Sequence, residues 1–112
     1  MNRGDALTEF EQLVLLALLR LGEDAYGVTI REEIEDRAGR TVSLASAYAA
    51  LERMEQRGYL TSWVSDPMPM RGGRARKHFR LEKAGAVALR ASRSVMDRMW
   101  QGVEAHPDLR ES

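Results

Sequence analysis

Residues 43–65 read SLASAYAALERMEQRGYLTSWVS, and beyond a loop residues 71–81 read RGGRARKHFRL. The first stretch changes period midway. From Ser43 to Gly58 the apolar residues Leu44, Tyr48, Leu51 and Met54 recur at helical spacing. Ser46, Ala49, Ala50, Arg53 and Arg57 fill the other side, Ser43 stands where an N-cap belongs, and Gly58 ends the helix. From Tyr59 to Ser65 the chain turns to Tyr, Thr, Trp and Val, the residues of a strand. Asp66-Pro67-Met68-Pro69-Met70 and Arg71-Gly72-Gly73-Arg74 supply turn residues. Arg76 to Leu81 then reads as a returning strand, with Arg76, His78 and Arg80 on one face and Lys77, Phe79 and Leu81 on the other. The unit is a helix followed by a hairpin with a basic tip.

Upstream lie two more helices. Thr8 and Glu11 match a capping box, and behind them Leu13, Val14, Leu15, Leu16, Ala17, Leu18, Leu19 and Leu21 make a helix apolar almost all round. Such a helix needs cover on most sides, more than so short a chain easily provides, so a second copy is expected to supply it. Gly22 stops it. Tyr26, Ile30, Ile34 and Ala38 then mark an amphipathic helix closed by Gly39, with Arg31, Glu32, Glu33, Glu35 and Asp36 on its wet side. The short link Gly39-Arg40-Thr41-Val42 joins it to Ser43, which makes a helix-turn-helix pattern. Downstream, Lys83 to Glu104 is helical by pattern. Arg90, Arg93, Asp97, Gln101 and Glu104 line one face, and Ala88, Leu89, Val95, Met96, Met99, Trp100 and Val103 line a broad apolar one.

These readings add up to a mainly α chain with a small β-hairpin (α+β): a winged helix-turn-helix domain over residues 8–82 and a C-terminal dimerisation helix over 83–105. Residues 1–7 and 106–112 are expected to be loose tails. In such a domain a helix end enters the major groove of DNA while the charged loop grips the neighbouring backbone.

At 112 residues the chain is one domain, with room for one modest core. No apolar run reaches the ~20 residues a bilayer crossing needs, and no secretory h-region follows Met1-Asn2-Arg3-Gly4-Asp5. Cysteine is absent, which removes thiol catalysis, disulfides and the common zinc sites and fits a reducing cytoplasm. His78 and His106 are 28 residues apart, and Gly72-Gly73 lacks the strand–loop–helix setting of a phosphate loop. No catalytic residue, metal site or cofactor is expected, and the chain is read as no enzyme.

Charge is the more informative quantity. Lys and Arg number 17, as do Asp and Glu. Between Pro67 and Arg93, however, stand eight basic side chains and one acid, Glu82; that +7 leaves −7 on the other 85 residues. A basic segment in a neutral chain suggests a local anionic partner. Four of its cations, Arg71, Arg74, Arg76 and Lys77, fall within seven residues and are the expected phosphate contacts. Ser43 and Ser46 open the helix whose free N–H groups favour anions, although plain N-capping uses the same residues. Ala45 and Ala49 are small enough for close approach to a groove, and an Ala methyl can touch a thymine methyl. Arg53 is a further candidate, with pairing to Glu52 or Glu55 as its other use. A winged helix binding an acidic protein partner would show the same basic wing.

Four stretches resemble the PadR family of bacterial winged-helix transcriptional regulators: Leu15-Leu16-Ala17-Leu18-Leu19 with Ala25-Tyr26-Gly27 and Ile30; Val42 to Leu51; Leu51 to Leu60; and Gly73 to Gly85. The likeness runs from about Leu13 to Arg90. It implies a homodimer joined through the first and last helices and repression through a palindromic operator. Tyr48 matches the family's tyrosine, placed to pack in the core or reach a phosphate. The chain has Ala49 where the family commonly has Pro, and Glu82 where it commonly has a capping Thr. The resemblance also implies that Leu15, Leu18, Leu19, Val95, Met96, Met99, Trp100 and Val103 lie at the dimer interface. There Met and Trp could line a cleft for a small, flat aromatic effector.

Overall fold

The computed structural model describes residues 6–65 and 75–110. The elements run α1 (Glu9–Leu21), a 3-10 turn (Gly22–Asp24), α2 (Gly27–Ala38), α3 (Leu44–Gln56), β1 (Leu60–Val64), β2 (Lys77–Leu81), α4 (Lys83–Trp100) and a last 3-10 turn (Pro107–Leu109). Both expected caps form. The Glu11 N–H donates to Thr8 Oγ1 at 3.1 Å and the Thr8 N–H to Glu11 Oε1 at 2.9 Å, and Ser43 Oγ accepts from the Ser46 N–H at 3.0 Å.

α1, α2 and α3 pack on one another, with α1 against β2 and α3 against β1, around Val14, Leu15, Ile30, Leu51, Met54, Leu60 and Phe79, all 2% exposed or less. β1 and β2 are antiparallel, with Leu60 opposite Leu81 and Val64 opposite Lys77. The hairpin has a third edge that the periodicity did not announce. Tyr26 bridges His78, and the Phe79 N–H donates to Ala25 O at 3.0 Å. The two residues ahead of α2 therefore run along β2 and lock the wing to the helix pair. Two residues are too short for a strand pattern, which needs four or more to show an alternation.

α1 is not apolar all round in effect. Val14, Leu15, Ala17 and Leu18 face the subunit's own core, while Leu16 and Leu19 stay half exposed. Leu7, assigned to a loose tail by its sequence position, belongs to the core and is 7% exposed. On α3, Ala50 was expected outside and is fully buried; with Ala47, Leu51 and Met54 it forms the inner face. A small side chain at that position lets α3 sit close to its neighbours.

α4 begins against the corner between α3 and β1. A Cβ on Gly85 would stand 2.2 Å from Tyr59 O and 2.7 Å from Leu81 Cδ1, so only glycine allows this approach. Gly85, Ala88 and Ser92 are buried, and Ser92 Oγ donates back to Ala88 O at 2.9 Å. From Arg93 onward every described residue is exposed. The helix stops at Trp100 rather than at Glu104, because Gln101 leaves helical geometry (ψ 122°) and Gly102 takes φ +80°. The projecting helix stretches the molecule to 59 Å, with a radius of gyration of 16.7 Å where a compact chain of this length has about 13 Å. Pro107–Leu109 close a 3-10 turn in the segment expected to be loose. Among the described residues no helix is long and apolar enough to cross a membrane, and no cluster of His, Asp and Glu is arranged to hold a metal ion.

Candidate nucleic-acid interface

With Ala47, Ala50, Leu51 and Met54 turned inward, the exposed side of α3 carries Ala45, Ser46, Ala49, Glu52, Arg53 and Gln56. Ser43 Oγ also donates to Ser46 Oγ at 2.8 Å, so both hydroxyls cluster at the helix start. Beside them Phe10, Arg40, Thr41, Val42 and the two serines line a shallow groove of about 210 Å³. Arg40 was not among the expected contacts. Its only signal in the sequence is a cation three residues ahead of a helix cap. It pairs with Glu9, and this hydrogen bond and charge hold the Glu9 carboxyl below, and the Arg40 guanidinium above, their ordinary values.

Tyr48 lies at the edge of this surface, 37% exposed. Its ring rests on Gly27, the first residue of α2, where a Cβ would fall 2.4 Å from Tyr48 Cζ. Gly27 thus sets where the phenol points.

Arg53 does not use Glu52 or Glu55. Its Nε lies 3.6 Å from Oε2 of Glu11, a carboxylate 3% exposed at the base of α1, and Arg57 Nη1 approaches the same oxygen at 3.8 Å. Arg57 also lies over the Tyr59 ring. A capping glutamate thereby gains a second task, joining α1 to the far half of α3. Nothing in local spacing links residues 11, 53 and 57.

In the wing, Arg71 and Arg74 lie outside the described residues. Arg76 stacks over the Tyr26 ring at 4.6 Å, and Arg80 over Trp63 at 5.0 Å. Between them His78 stacks on Trp63, and its Nδ1–H donates to Glu23 O at 2.9 Å. Lys77 points the other way, as strand alternation requires, to Glu55 Oε1 at 3.6 Å. Glu55 in turn accepts from Ser62 Oγ at 2.6 Å. The two described cations of the expected four thus already have partners within the chain.

Residues 15–91 match the family model of the transcriptional regulator PadR-like family. The chain belongs to that family. PadR-like proteins are DNA-binding transcriptional regulators and not enzymes, and this chain has their winged helix-turn-helix fold. Among solved structures it is similar to a PadR family transcriptional regulator from Eggerthella lenta, with 26% identity, a TM-score of 0.68, and coverage of 91% of this chain and 88% of that one. A transcriptional regulator from Clostridium thermocellum superposes with a TM-score of 0.69 at 17% identity, covering 87% and 91%. A PadR family regulator from Clostridium difficile gives 0.61 at 22%, covering 85% and 91%. No curated protein matches the sequence.

In this PadR-like chain the residues expected at a dimer interface divide into two sets. Leu15 and Leu18 are 0% and 3% exposed within their own subunit and offer no surface to a second copy. Leu19 does, at 51%, together with Leu16 at 46%, which was not singled out. On α4, Val95, Met96, Met99 and Trp100 are all exposed, Met99 most at 71%. Val103 is exposed as well but lies past the helix end.

Proposed function

We propose that this PadR-like chain is a repressor that binds a palindromic operator as a homodimer, with α3 of each copy in the major groove and the wing on flanking phosphates. The observation that carries the reading is the division of α4. Its first half buries small residues, Gly85, Ala88 and Ser92, and its second half presents Val95, Met96, Met99 and Trp100 to solvent. A face that apolar on an extended helix is a surface for a partner, and Leu16 and Leu19 on α1 supply a second apolar strip of the same kind. A two-fold pairing through these strips carries two recognition helices, and two half-sites about 34 Å apart suit them. On the α3 side, Ser43, Ser46, Tyr48, Ala49 and Arg53 contact DNA, and on the wing Arg71, Arg74, Arg76 and Lys77. A small, flat aromatic effector, bound beside Trp100 and Met96 between the copies, relieves repression by favouring another arrangement of the dimer.

The test is binding of the purified protein to duplex fragments of its own upstream region over a range of salt, with light scattering on the same sample. A dimer that retains one fragment, and whose affinity falls steeply with salt, is the expected result. Arg71→Ala and Arg74→Ala should each lower the salt slope by about one unit without changing sequence preference. A monomer, or a protein without salt-dependent affinity for DNA, would overturn the reading; the second outcome favours a wing that binds an acidic protein.

A further inference from the structure

The outward line of α3 is unusual for a surface turned toward a polyanion. Opposite the buried Ala47, Ala50, Leu51 and Met54, the residues at i, i+4, i+7 and i+11 are Ala45, Ala49, Glu52 and Gln56, all exposed. Ser46 and Arg53 flank this line on the α1 side, and Tyr48 flanks it on the α2 side. No cation stands on the line itself, and its charged member is an acid.

The other carboxylates near α3 are occupied. Glu55 takes Lys77 and the Ser62 hydroxyl, and Glu11 takes Arg53 and Arg57. Among the described residues Glu52 has neither an ion pair nor a side-chain hydrogen bond: the residues three and four away on its helix face are Tyr48, Ala49, Glu55 and Gln56, none of them a cation, and Arg53 pairs with Glu11. Ala45 and Ala49 end at Cβ, so the first two turns of α3 can press close to base edges, and the next residue on the line is Glu52. A carboxylate there finds one of two environments. Against phosphate it is repelled. Against a base edge it can only accept, and the major groove offers two amino donors, cytosine N4 and adenine N6. Adenine carries the N7 lone pair beside N6 on the same base, which repels a carboxylate, whereas the neighbour of the amino group on cytosine itself is the C5–H edge and not an acceptor.

We propose that Glu52 is a specificity-determining residue, accepting a hydrogen bond from the N4 amino group of a cytosine in each operator half-site. The proposal rests on the DNA reading above. In this role Glu52 contributes through discrimination rather than through raw affinity. It admits one base and penalises every register that puts its charge near phosphate or a base acceptor.

The experiment is selection from a pool of random duplexes by the full-length protein, Glu52→Gln and Glu52→Ala, each followed by titration with the selected duplex and with random duplex. The wild-type chain should enrich a motif with cytosine at one position of each half. Glu52→Gln should move that position to adenine, since an amide both accepts from N6 and donates to N7. Glu52→Ala should enrich any base there, a loss of about tenfold in discrimination at that position. Both variants should bind random duplex more tightly than the wild type, because a charge repelled by phosphate is gone. If both variants select the wild-type motif unchanged, Glu52 does not read a base and the proposal is overturned. If the wild-type chain enriches no motif, the DNA reading itself fails and this proposal with it. The two failures are therefore told apart by the wild-type arm. The side chain is exposed, and unchanged far-UV circular dichroism checks that both variants fold.

Discussion

Gly27 shows how much one absent methyl group can decide. A Cβ there would meet the far end of Tyr48, atoms Cε1, Cζ and Oη, and not backbone. The ring can swing away, so Gly27→Ala should leave stability nearly unchanged. The displaced phenol should nevertheless weaken operator binding about tenfold, equal to 1.4 kcal/mol. In a Tyr48→Ala background the same substitution should add nothing, since the group it displaces is gone. A double-mutant cycle on binding affinity reads this directly. The Glu9–Arg40 pair is a residue-scale contact of another kind, solvent-exposed at both ends. Arg40 lowers the Glu9 value in the folded state, so the contribution of the pair is present above the ordinary glutamate value and is lost as pH falls through the folded one. Urea midpoints for the wild type and Glu9→Gln should differ slightly at about pH 7 and draw together as pH falls through the lowered Glu9 value.

At the scale of elements, the critical contact is the root of α4. Gly85 lies against the backbone carbonyl of Tyr59, which cannot rotate aside as a side chain can. Gly85→Ala should destabilise the fold by about 2 kcal/mol and loosen α4, measured by urea unfolding and by amide exchange along the helix. Most of this architecture was legible in the sequence. The order of three helices, hairpin and helix follows from apolar spacing, caps and turn residues, and both Thr8 and Ser43 cap as their positions promise. What escaped was non-local. The Ala25–Tyr26 edge on β2 is too short to carry a period. Glu11 meets Arg53 and Arg57 only because α1 crosses α3, and Ala50 looks like any small surface residue until its neighbours are known. On α1 the run from Leu13 to Leu21 is so uniformly apolar that its pattern cannot tell the buried Leu15 and Leu18 from the exposed Leu16 and Leu19. The candidate interface was therefore marked out in the sequence as a stretch of residues, and the pairings within it were not legible.

At the scale of the whole molecule, the question is what the far half of α4 does to solubility and assembly. Val95, Met96, Met99 and Trp100 extend beyond the body of the subunit, where no other part of the described chain covers them. Changing Met96 and Met99 together to Glu should convert the proposed dimer into a monomer of unchanged unfolding midpoint at matched low concentration, since neither side chain supports the core. Light scattering and analytical sedimentation check the mass. Operator affinity should fall by more than tenfold, because each half-site is then bound alone and the second contact is no longer intramolecular.

The seat of α4 has a mechanical consequence. Tyr59 donates its N–H to Met54 O in the last turn of α3 and accepts the Glu82 N–H at the start of α4. One residue is thus the pivot shared by α3 and a rod of 18 residues, about 27 Å long. A tilt of about 10° at that pivot sweeps the far tip of the rod through about 5 Å. In the proposed dimer, two copies clasped by their tips would form a pair of levers. A shift of a few ångströms where the tips meet would then turn each body about its own Tyr59 and change the span between the two α3 helices. Packing at the tips would thereby be geared to the spacing of the grooves.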